Sequence, residues 1–154
     1  MESLGLIEQF RDLGAIMALA FAAVGSGCGA GVAGMAAIGA WKKNFIQNKP
    51  PSFLLVPMVA APLTQTIYGF ILMQNMVGAI AIKGQFLWGV GAAAGLAIGV
   101  SAYWQGRCAA CACDSMGETG KGFGNYIVVL GMTETVALLV MVFTIVVLKR
   151  LAGA

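Results

Sequence analysis

The chain has 154 residues, 60% of them hydrophobic and only 10% charged, with a mean hydropathy of +0.89 and no histidine. A water-soluble domain carries roughly 25% charged and about 45 to 50% apolar residues, so the composition is that of a membrane protein, with no length to spare for a soluble catalytic domain. Lack of histidine excludes His-dependent triads and most zinc hydrolase sites.

The nine basic and six acidic residues cluster, leaving charge-free stretches at 13–41, 50–82, 84–106 and 122–148, the last broken only by Glu134. As a helix rising about 1.5 Å per residue, each is long enough to cross a hydrocarbon core of ~30 Å. None alternates as a spanning strand would. The prediction is an all-α membrane protein, a single membrane domain over 1–154. Four transmembrane helices fall near 13–41, 52–80, 85–111 and 123–148, forming two tandem antiparallel hairpins, 13–80 and 85–148. Ahead of the first span, Glu2 and Glu8 stand where a signal peptide would be basic, so this segment is expected to be retained.

The first span holds the small-residue series GSGCGAGVAG, and the third has Gly91, Gly95 and Gly99 at four-residue spacing. Small residues let helix backbones approach closely in lipid, so the first and third helices are predicted to pack tightly. Gly29-x-Gly31-x-x-Gly34 matches a dinucleotide fingerprint literally, but that reading needs an acidic residue about 20 positions on, and the next one is Asp114.

On the second span Ala61, Thr64, Gln65 and Tyr68 follow the spacing i, i+3, i+4, i+7 and share one helical stripe. Pro62, inside it, cannot donate to the carbonyl four residues earlier, so backbone oxygen is loosened there. The third span adds Gln105. Arg107, two positions on, lies about 200° round the helix and is expected to face a packed interior or snorkel toward the third loop. Cys108, Cys111 and Cys113 form C-x-x-C-x-C without a histidine or fourth nearby thiolate, and read as small residues at a helix contact.

The fourth span carries Glu134 near its middle. An ionised carboxylate there costs at least ~2.5 to 3.5 kcal/mol and needs a partner, a proton or a bound cation. With the stripe and Gln105 it assembles hydroxyl, amide, carbonyl and carboxylate oxygens fit for one small hard cation. Ordinary interhelical hydrogen bonding is the competing account of the same residues. Loop charge divides almost evenly, with Lys42, Lys43, Lys49, Arg107 and Lys121 on one side and Arg11, Lys83, Lys149 and Arg150 on the other, so it barely orients the chain.

The halves repeat. Thr64-Gln65-Thr66 lies over Thr133-Glu134-Thr135, and GAGVAGMAA from Gly29 lies more weakly over WQGRCAACA from Trp104. Together with PLTQTIYGF, Gln105-Gly106 followed by a basic residue, and TETVALL, this resembles the proteolipid (K or c) subunit of rotary V-type ATPases, in particular the bacterial sodium-translocating kind. The resemblance implies that Thr64, Gln65, Gln105 and Glu134 are side-chain sodium ligands, that Ala61 offers its carbonyl, and that Tyr68 hydrogen-bonds the carboxylate. Ala61 stands where the family places a leucine; the cysteines and Trp104 also depart from it.

It further implies a homo-oligomeric ring in the bacterial cell membrane, with loops one and three at the cytoplasmic face against central-stalk subunits. A static membrane subunit supplies an arginine. The subunit itself has no catalytic residues, no cofactor and no nucleic-acid partner; it carries one Na⁺, with H⁺ less favoured, and is not an enzyme on its own. A small secondary transporter or channel using Glu134 without a rotor is the alternative, and a purely structural spacer a third reading.

Overall fold

The computed structural model describes residues 12–83 and 87–153. Glu2, Glu8 and Arg11, with the amino-terminal expectation resting on them, lie outside the described residues, as does most of the second loop. Among the described residues every regular element is helical: α1 (Leu13–Ile46), α2 (Leu55–Ala60), a 3-10 turn (Ala61–Leu63), α3 (Thr64–Lys83), α4 (Trp88–Thr119) and α5 (Phe123–Ala152). The α2–turn–α3 unit is the second span, and the 3-10 turn falls at Pro62, whose missing N–H breaks the α-helical ladder.

The close approaches between glycines and neighbouring helices fix the topology. A Cβ built on Gly69 would meet the Ala22 Cβ at 2.6 Å, and one on Gly34 comes to 3.7 Å from Val59, so the first two spans run antiparallel. A Cβ on Gly91 meets Gly14, on Gly99 meets Phe21 and on Gly106 meets Gly29, so α1 and α4 run parallel. Ser101 bonds the Thr133 carbonyl and Gln105 the Leu130 carbonyl, which makes α4 and α5 antiparallel.

The α1–α4 pair is the spine of the bundle. At Gly106 an added Cβ would sit 2.2 Å from the Gly29 Cα, and at Gly25 it would sit 2.0 Å from the Gly99 carbonyl oxygen. Side chains there would force the helices apart; in lipid such backbone contact replaces the hydrophobic drive. Gly29 is therefore a packing residue in the middle of a helix, with no strand before it among the described residues to make a nucleotide-binding turn.

Three described helices are long and apolar enough to cross a membrane: Leu13–Ile46, Leu55–Ala81 and Phe123–Ala152. The expected third span, α4, falls short in apolarity rather than length. Its Gly and Ala are only weakly hydrophobic, and Trp88, Tyr103, Trp104 and Gln105 dilute it further. It also packs against all four other helices, so the bundle shields much of it. By contrast α5 leaves Val128, Val136, Leu139, Phe143 and Val147 exposed, a face suited to lipid.

The helices outrun the charge-free stretches. α1 continues to Ile46 through Lys42 and Lys43, and α4 to Thr119 through Asp114 and Glu118. Charge limits the buried part of a span, while backbone hydrogen bonding continues into the aqueous zone. There Lys43 Nζ donates to Glu118 Oε1, tying the ends of α1 and α4 together. That lysine holds the exposed Glu118 carboxyl below the usual glutamate range. α4 stops at Gly120, whose φ of +66° is the left-handed conformation that glycine adopts without a Cβ clash.

Candidate ion-binding site

All six predicted site residues fall into one connected cluster between the 3-10 turn, α3, α4 and α5. The turn at Pro62 brings Ala61 and Thr64 together: the Thr64 hydroxyl donates to the Ala61 carbonyl at 2.9 Å and lies 3.2 Å from Gln65 Oε1. A hydroxyl has one proton, so the Ala61 carbonyl and Gln65 Oε1 compete for it, and the Ala61 carbonyl also accepts the Thr64 backbone N–H.

Next to them the amides link two helices. Gln65 Nε2 donates to Gln105 Oε1 at 2.7 Å, and both side chains are 0% exposed. Gln105 Nε2 in turn donates to the Leu130 carbonyl at 2.8 Å and to Glu134 Oε2 at 3.3 Å. Tyr68 completes the carboxylate's surroundings, its hydroxyl donating to Glu134 Oε1 at 2.7 Å. Glu134 thus accepts at both oxygens, is only partly buried, and has no basic partner among the described residues.

Arg107 does not compete for it. The expectation that this side chain faces a packed interior or snorkels to the third loop is corrected: it is exposed, with its guanidinium 5.4 Å from the centre of the Trp104 ring. Residues three apart share a helix face, and an aromatic face attracts a guanidinium, which accounts for both residues together. The cysteines separate as well. Cys113 is buried in the core, Cys108 is half-buried, and Cys28 and Cys111 are exposed, so the helix-contact reading holds for the first two only. All four are free thiols, and no metal-holding group of three cysteine or acidic side chains exists among the described residues.

Sequence reasoning missed the support around the cluster. Ser101 Oγ donates to the Thr133 carbonyl at 2.6 Å, pinning α5 to α4 next to Glu134, and Thr133 Oγ1 donates to the Leu130 carbonyl at 2.8 Å within α5. Thr133 is visible in the sequence as part of the repeated Thr-x-Thr; nothing there marks Ser101.

Long apolar helices closing around one carboxylate, with both its oxygens hydrogen-bonded and further oxygens clustered nearby, define a multi-pass membrane protein with a polar cluster inside it. Residues 88–147, which span α4 and most of α5, match the ATP synthase C-subunit family. That match supports a non-catalytic, ion-carrying proteolipid of the rotor-subunit type. No curated protein matches the chain.

Proposed function

We propose that the chain is the ion-carrying subunit of the rotor ring of a bacterial V-type ATPase, and that it carries one Na⁺ at Glu134. One observation carries the choice of ion: Ala61 O and Gln65 Oε1 both lie within 3.2 Å of Thr64 Oγ1, so three oxygens converge at one place. A proton site needs only a carboxyl group in an apolar setting, whereas spare oxygen lone pairs suit a hard cation.

In this reading Thr64, Gln65, Gln105 and Glu134 supply side-chain oxygens and Ala61 its carbonyl. Tyr68 holds Glu134 Oε1 in place while Gln105 holds Oε2. With Na⁺ bound the carboxylate is neutralised and passes through lipid as the ring turns. At the static subunit an arginine from that subunit draws the carboxylate away and the ion leaves. The partial exposure of Glu134 gives the ion a short route in and out.

Copies of the chain form the ring, with α1 and α4 inside and α3 and α5 outside toward lipid. All four spans cross the membrane, α4 shielded by its neighbours, and loops one and three meet the central stalk at the cytoplasmic face. ATP hydrolysis or synthesis belongs to other subunits. The first hairpin has Gln65 where the second has Glu134, so four spans carry one charge. Moving each charge costs about 2.3 kcal/mol per 100 mV. Fewer ions per turn at fixed ATP per turn favours pumping.

The test is Glu134→Gln in reconstituted vesicles. Sodium transport is expected to vanish while a large closed ring persists; a dimer or tetramer in the parent would instead favour a secondary transporter or channel. An active mutant would remove Glu134 from the mechanism.

A further inference from the structure

Ser26 in α1 is 1% exposed, and its hydroxyl has no hydrogen-bond partner in the protein. A serine inside a helix ordinarily returns its proton to a carbonyl one turn back. Ser26 does not. Its position in the α1–α3 contact shows what it faces.

Ala22, Ser26 and Gly29 lie on one stripe of α1, while Pro62, Gln65 and Gly69 lie on one stripe of the second span. The two stripes touch at both ends, where a Cβ on Gly69 would meet the Ala22 Cβ at 2.6 Å and one on Gly29 the Pro62 Cβ at 3.1 Å. In this antiparallel register Ser26 stands opposite Gln65. Gln65 is 0% exposed and gives one amide hydrogen to Gln105; its second has no acceptor among the described residues. Two buried, polar and incompletely bonded groups therefore sit at the same level, farther apart than a direct hydrogen bond.

We propose that Ser26 is a positioning residue for the ion site, holding one buried water that bridges its hydroxyl to the second amide hydrogen of Gln65. The water accepts from Gln65 Nε2 and hydrogen-bonds Ser26 Oγ, the minimum of partners a buried water needs. Fixing both amide hydrogens fixes the plane of the Gln65 amide and turns Oε1 toward Thr64 and the cation. The first helix, which contributes no ligand, thereby sets ion affinity. This rests on the sodium reading above.

The experiment follows carbodiimide labelling of Glu134 in the intact assembly at fixed pH over a range of Na⁺ concentrations, for the parent, Ser26→Ala and Ser26→Thr. Ser26→Ala removes one oxygen and adds nothing, so packing is kept. It is expected to raise the Na⁺ concentration for half-protection about fivefold, the ratio one net hydrogen bond supports, with the labelling rate in the absence of Na⁺ unchanged. Ser26→Thr keeps the hydroxyl and retains the parent's value. A Ser26→Ala curve superimposed on a Na⁺-protected parent overturns the role of Ser26 and leaves the sodium site standing. A parent that Na⁺ does not protect overturns both.

Discussion

Gln105 is the hub of the buried cluster, and replacing it isolates what the cluster is worth. Gln105→Met keeps the length of the side chain and fills the same space with a flexible apolar group. The Leu130 carbonyl loses one donor but still accepts from Thr133 Oγ1, so its loss is small. Gln65 Nε2 loses the acceptor it holds at 2.7 Å while remaining wholly buried, and a stranded donor costs about 1 to 3 kcal/mol. The contact to Glu134 Oε2, at 3.3 Å, is long and adds little. The single mutant should thus be less stable by about 2 kcal/mol, mostly through Gln65. Gln65→Met strands Gln105 Oε1 in the same way, but the double mutant strands neither. A double-mutant cycle in detergent, read from cooperative unfolding, is expected to show the double mutant about 1 to 2 kcal/mol more stable than the sum of the singles implies. Additive losses would refute an energetically coupled amide pair.

Gly106→Ala should destabilise the bundle by about 1 to 3 kcal/mol, because its Cβ would sit 2.2 Å from backbone of Gly29 that cannot rotate aside. Gly78→Ala, which meets nothing within 4 Å, should melt at or slightly above the parent's temperature; equal melting of the two mutants would contradict the α1–α4 spine. Tyr68→Phe removes the 2.7 Å donor to Glu134 Oε1 and is expected to weaken Na⁺ binding roughly tenfold or more, measured as the concentration for half-saturation; an unchanged value would remove Tyr68 from the site. Lys43 lowers the Glu118 carboxyl's pKa in the folded chain, so the stability it gives is present at neutral pH and lost as pH falls through and below the usual glutamate range. Melting curves of the parent and Glu118→Gln should converge in acid, and a gap that widened there would reverse the sign of the effect.

The site was legible because polar groups are scarce in apolar helices. Thr64, Gln65, Tyr68, Gln105 and Glu134 stand out against their neighbours, and helical spacing places the first three on one face. Helix number was legible from the gaps between charges, but helix ends were not. Lys42 and Glu118 do not stop a helix that has already left the hydrocarbon. A charge in a span suggests burial or water, whereas Arg107 takes the aromatic face that its three-residue spacing from Trp104 offers. Ser26 and Ser101 stayed hidden for another reason. A serine among glycines and alanines carries no periodic signal, and only the three-dimensional register shows that one bonds a carbonyl beside Glu134 while the other faces Gln65 with no partner.

The central claim is that each chain holds one sodium ion at Glu134. Equilibrium binding of radioactive ²²Na⁺ to the purified assembly, with Glu134→Gln alongside, tests it most directly. One ion bound per chain is expected in the parent and none in the mutant; undiminished binding by Glu134→Gln, or no binding by the parent, would overturn the sodium site.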